Sequence, residues 1–110
     1  MDNLTPCRFG KDLITDWEEY FPDYDICECS KGICINPLDT LVYMHIVSNT
    51  MVFTPITQHS LSYDVIGDIT DNLINIDTPD YMHIEKEVRN HPNGANELIF
   101  KFYFIDEETN

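Results

Sequence analysis

Four cysteines and four histidines are the residues of this chain whose types allow covalent or metal chemistry. Cys27-Glu28-Cys29 puts two thiols on one side of an extended segment, and Cys34 can face them across a hairpin. Three or four thiolates held together bind zinc tetrahedrally. Cys7, Cys27, Cys29 and Cys34 are therefore the ligand set of one reading, a small cysteine-ligated metal-binding domain. The spacing C-x-C-x-x-x-x-C is not one of the usual knuckle patterns, C-x-x-C is absent, and Cys7 would have to fold back as the fourth ligand. A disulfide is geometrically open but disfavoured in a reducing compartment. The leading expectation is half-buried thiols without metal or cofactor.

The histidines, His45, His59, His83 and His91, form no i, i+4 pair and no H-E-x-x-H. His45 stands in an apolar run and reads as a hydrogen-bonded core residue. Glycines at 10, 32, 67 and 94 are too scattered to build a phosphate loop. Asp23-Tyr24-Asp25 lacks the further oxygen ligands and the closing Glu of a calcium loop. No catalytic constellation emerges, and the chain is expected not to be an enzyme.

The carboxylates carry more information. Twenty Asp and Glu face six Lys and Arg, for a formal net charge of -14 on 110 residues, with a pI near 4.2. This exceeds the magnitude of about 2–8 that suits a small domain. Between Lys11 and Lys31 stand Asp12, Asp16, Glu18, Glu19, Asp23, Asp25 and Glu28 without a basic residue, and residues 32–85 hold no Lys or Arg at all. Such a surface cannot bind nucleic acid through phosphates, which requires cations that displace counterions. It disfavours an anionic membrane surface for the same reason. No apolar run approaches the roughly 20 residues needed to span a bilayer. The N-terminus lacks the basic and apolar regions of a signal peptide, so a cytoplasmic protein is expected. A field of one sign does attract a basic partner and accelerates encounter with it.

Aromatics interleave with acids around 16–25. Asp16, Glu18, Glu19, Tyr20, Asp23, Tyr24 and Asp25 are candidate partner-binding residues, since anchoring aromatics ringed by charge are an interface composition. Trp17 and Phe21 read as core. Asp64, Asp68 and Asp71, at i, i+4 and i+7, form a second candidate stripe, whose like charges repel by a few tenths of a kcal/mol.

The elements that must position these residues follow from periodicity. Leu13, Ile14, Trp17, Tyr20 and Phe21 lie on one face of a helix over about 11–21, stopped by Pro22. Leu61, Val65, Ile66, Ile69, Leu73 and Ile76 mark a second amphipathic helix over about 61–76. Hairpins are expected near 25–35, 41–56 and 81–105. In the second, strands over 41–48 and 51–56 flank a turn at Asn49-Thr50, and a buried helix over 38–47 competes with the first of them. In the third, a helix from Thr78-Pro79 competes with the strand over 79–89. Residues 98–105 are apolar on both faces, which marks a central or doubly covered strand. Residues 106–110 read as a loose acidic tail. The sum is one α+β domain over residues 1–110, with an antiparallel sheet and two amphipathic helices.

These features predict an acidic protein inhibitor that blocks a basic enzyme acting on nucleic acid. Charge and size resemble acidic immunity proteins at the level of class, though no motif carries a family. An immunity protein neutralising a toxin nuclease is the leading expectation. A phage-encoded DNA mimic directed against a host defence and the cysteine-ligated metal-binding domain are the alternatives. A further class is a subunit whose Phe- and Ile-rich strand pairs with a neighbour.

Overall fold

The computed structural model describes residues 3–9, 16–29, 32–74 and 82–106. They form a seven-stranded antiparallel sheet with few helices. The strands are β1 (Asn3–Pro6), β2 (Ile26–Cys29), β3 (Gly32–Ile35), β4 (Val42–Val47), β5 (Thr50–Pro55), β6 (Met82–Asn90) and β7 (Asn96–Asp106). The helices are α1 (Trp17–Tyr20) and α2 (Tyr63–Ile74), with a 3-10 turn at Pro37–Asp39.

β7 is the spine of the sheet, as its apolar character on both faces demands. β6 pairs along one edge, from Met82 opposite Phe104 to Asn90 opposite Asn96. The other edge is shared: β5 takes Leu98 to Lys101 and β1 takes Tyr103 to Asp106. Phe102 lies at the seam between them. Its N–H donates to the Asn49 carbonyl at 3.1 Å, and its carbonyl accepts from Cys7 N at 3.0 Å. The same carbonyl accepts from the buried Asn49 Nδ2 at 2.9 Å. Asn49 thus substitutes for a ladder rung where one strand ends and another begins, so no buried backbone group is orphaned there. From β5 the sheet continues through β4 and β3 to β2.

Alternation along the strands separates the two faces. Ile35, Val42, Met44, Met51, Phe53, Leu98, Phe100 and Phe102 point to one side and are fully buried or nearly so. Val65, Ile66, Ile69 and Leu73 of α2, with Tyr20 and Phe21, complete that core. Burying such side chains contributes roughly 1.5–3 kcal/mol each. Cys27, Cys34, Tyr43, His45, Thr54, Lys101 and Tyr103 occupy the other face, and none of them is fully buried.

Several expectations need correction. Of the helix expected over 11–21, residues 11–15 lie outside the described residues, and the rest contains one turn, capped by the Asp16 side chain accepting from Glu18 N. The second helix is Tyr63–Ile74, with 75 and 76 outside the described residues. Ser62 Oγ accepts from Val65 N at 3.2 Å and opens it. The β4–β5 turn is at Ser48-Asn49, one residue earlier than expected, with Ser48 in the left-handed region at φ 58. Residues 42–47 and 82–90 are strands, so neither competing helix forms there. Pro37 starts a turn, but Leu38 and Asp39 are both left-handed (φ 51 and 60), and a right-handed helix cannot propagate through them. Asp106 ends β7 instead of opening a tail, and 107–110 lie outside the described residues. His45 is on the open face beside Tyr43, Thr54 and Pro55, not in the core.

Candidate partner-binding face

Tyr24 joins the two acidic segments. Its hydroxyl donates to Asp68 Oδ2 and accepts from Asn72 Nδ2, the latter at 3.0 Å. Asn72 Nδ2 also donates to the Asp68 carbonyl at 2.9 Å, which ties the pair to the α2 backbone. Below the hydroxyl, the Tyr24 ring stacks on Phe21 with centroids 5.4 Å apart. Phe21 meets Phe53 edge-on at 6.0 Å, and Phe53 meets Phe100 in the same way. A continuous aromatic column therefore runs from the surface acids to the central strand. Edge-to-face and offset contacts of this kind add about 0.5–1.5 kcal/mol each beyond their buried area.

Around Tyr24 the chain forms a shallow pocket lined by Asp23, Tyr24, Asp25, Asn36, Leu38, Asp39 and Asp68, with a volume of about 410 Å³. Asn36 clasps its rim, accepting from Asp25 N at 2.8 Å and donating to Asp25 Oδ2 at 3.2 Å. Four aspartates thus meet in one concavity, contributed by three separate stretches of chain. Asp64 and Asp71 flank it, exposed on α2 one turn to either side of Asp68. Asp16, Glu18 and Glu19 are exposed on and beside α1.

Among the described residues, the ion pair of Arg89 with Glu87 at 3.4 Å lies at the β6–β7 end, as do the contacts of His83 with Glu85 and of His91 with Glu97, which are ion pairs only when the imidazole is protonated. None reaches the acids of α1, the Asp23–Asp25 segment, the Pro37–Asp39 turn or α2.

Two rim residues escaped the sequence reading. Leu38 is 58% exposed, although it is apolar and held left-handed, and Asp39 beside it shares that conformation. Left-handed non-glycine residues cost about 1–2 kcal/mol each, and such strain concentrates at functional sites. Asn36-Pro37-Leu38-Asp39 is rich in turn-forming residues, but conformation and exposure are not written in it.

No protein-family model, curated protein or solved structure matches this chain.

The site residues inferred from sequence divide accordingly. Asp23, Tyr24, Asp25 and Asp68 come together, and Asp64 and Asp71 adjoin them. Tyr20 is a correction: at 4% exposure it is core, and it cannot touch a partner. Burial, followed by the charge of Glu19, pushes its phenol up to about 12. The Tyr24 phenol is also raised, by burial first and then by the Asp68 hydrogen bond and charge. Asp68 is half-buried and engaged, not part of a free stripe. Nor do the described thiols of Cys7, Cys27 and Cys34 all come together. Cys27 and Cys34 face each other on the open side of the sheet, while Cys7 is buried in the core under β7. No cluster of three metal-ligating side chains occurs among the described residues.

Proposed function

We propose that this protein is a binding protein and inhibitor, and that it docks on the basic surface of an enzyme acting on nucleic acid. An immunity protein that neutralises a toxin nuclease is the form this reading takes. The observation that carries it is the Tyr24–Asp68 link, which gathers Asp23, Asp25, Asp39 and Asp68 around one pocket with no ion pair to any of them among the described residues. Basic grooves that hold nucleic acid present Lys and Arg spaced for phosphates. A concave cluster of carboxylates offers such side chains an alternative anion, with bidentate pairing open to Arg. Exposed Leu38 and the Tyr24 edge supply the apolar and aromatic contacts that charge alone lacks.

The cost of the arrangement supports the reading. Gathering like charges destabilises the folded state, and left-handed Leu38 and Asp39 add strain. Neither feature improves the core. Both are accounted for by a surface shaped for a cationic partner.

The test is a paired capture from the native source, with wild type and the triple variant Asp23→Lys, Asp64→Lys, Asp71→Lys as baits. These three side chains are exposed and make no hydrogen bond among the described residues, and circular dichroism of the variant checks that it is folded before capture. The expected result is a basic nuclease retained by wild type, inhibited by it, and lost with the variant. A partner of neutral or acidic surface, or one held equally by both baits, overturns the proposal.

A further inference from the structure

The hairpin of β2 and β3 places Cys27 directly opposite Cys34. Both lie on the uncovered side of the sheet, because the next rung, Ile26 opposite Ile35, points its Ile35 side chain into the core. Cys27 is exposed and Cys34 is half-buried. Directly opposed residues of an antiparallel pair lie about 4.5 or 5.5 Å apart at Cα. Both values fall in the window of about 4.4–6.8 Å that a disulfide spans. Their Cβ atoms, about 4.5–5.5 Å apart in such pairs, must close toward the 3.5–4.5 Å or so of a disulfide. β2 can supply that movement. It is four residues long, stands at the end of the strand order and pairs only with β3 among the described residues.

We infer that Cys27 and Cys34 are a reactive cross-strand dithiol, which closes to a disulfide by exchange with a small-molecule disulfide such as oxidised glutathione. This assignment is independent of the acidic face. The exposed Cys27 thiolate attacks one sulfur of the small disulfide. That S–S bond breaks, a mixed disulfide forms at Cys27, and the first small thiolate leaves. The Cys34 thiolate then attacks Cys27 Sγ, the cross-strand S–S bond forms, and the second small thiolate leaves. Two electrons pass from the cysteines to the small disulfide, and the two cysteine protons end on the two small thiols. An exposed bond of this kind belongs to the labile, reversible class and not to the structural one. Cys7 takes no part, since it is wholly buried.

The experiment treats the purified full chain with oxidised glutathione, quenches by alkylation and maps the peptides by mass. The expected product in wild type is a Cys27–Cys34 cross-link with loss of two thiols, reversed by reduced glutathione. Cys29→Ser preserves the cross-link. In Cys27→Ser the Cys34 thiol disappears at least about tenfold more slowly, because a bimolecular step replaces the intramolecular one. A stable mixed disulfide at Cys27 without cross-linking overturns the inference. So does a cross-link that uses Cys29 or Cys7, or a zinc ion bound per chain that shields the thiols. The wild-type map decides between these outcomes even where a variant folds poorly.

Discussion

Replacing Tyr24 by Phe removes one oxygen and leaves the aromatic column standing, so it isolates the link between the two acidic segments. That oxygen donates to the Asp68 carboxylate and accepts from Asn72 Nδ2. A hydrogen bond to a charged group contributes about 1.5–3 kcal/mol. The pair is only part-buried, and water can solvate Asp68 once the phenol is gone. A loss of about 1–2 kcal/mol follows after that discount. At about 4–8 °C per kcal/mol for a domain somewhat smaller than this one, Tm falls by roughly 4–16 °C. Equilibrium denaturation by urea measures the difference, and a double-mutant cycle with Asp68→Asn assigns it, with a coupling of about 1–2 kcal/mol. The pH dependence adds a second reading. Because the Tyr24 phenol is raised above its ordinary 10.0 in the folded state, the native protein holds this proton more tightly than the unfolded chain does. The stability linked to it is complete below the ordinary value and is lost as pH rises through the folded-state value. Wild type must therefore lose stability above about pH 10 more steeply than Tyr24→Phe. A variant within about 0.5 kcal/mol of wild type, with the same alkaline profile, would refute the claim that this hydroxyl holds the site together.

Asn49→Ala should cost about 1–3 kcal/mol in the same denaturation assay with an unchanged m-value, because it empties the buried rung at Phe102. Gly32→Ala should destabilise more than an ordinary surface substitution, by roughly 2 kcal/mol or more: φ is +139, and a Cβ would stand 2.7 Å from the Met44 carbonyl oxygen. Phe53→Ala should cost about 3–5 kcal/mol by breaking the aromatic column at its centre, whereas Tyr63→Ala, at a residue 93% exposed, should change stability by less than about 0.5 kcal/mol. Asp71→Asn should stabilise the fold by a few tenths of a kcal/mol at low salt and by nothing measurable at high salt, because it relieves repulsion that exposed charges lose on screening.

Periodicity made much of the fold legible. Residues 98–105 announced a central strand by being apolar on both faces, and β7 is indeed paired along both edges. Val65, Ile66, Ile69 and Leu73 marked the buried face of α2, and the three hairpins fall on the expected stretches, the last running one residue further to Asp106. The failures have local causes. Periodicity alone could not decide between strand and helix over 38–47; the left-handed pair Leu38-Asp39 decides it. Tyr20 read as an interface aromatic because its neighbours are acidic, yet the turn of α1 points it inward onto Phe21. The site was half legible. Both acidic segments stand out by composition, but nothing in one dimension reports that residues 24 and 68 touch, and that contact turns two stripes into one face. Leu38 was silent because its exposure depends on a backbone conformation that its type disfavours.

The proposed docking depends on the acidic face meeting a cationic one. The direct measurement is the association rate constant with the captured partner across ionic strength, for wild type and for the Asp23→Lys, Asp64→Lys, Asp71→Lys variant. Wild type should associate at least about tenfold faster at low salt than at high salt, and the variant should be slow with little salt dependence. A wild-type rate constant that stays flat from low to high salt, or one that the three reversals leave unchanged, contradicts the electrostatic docking of this face.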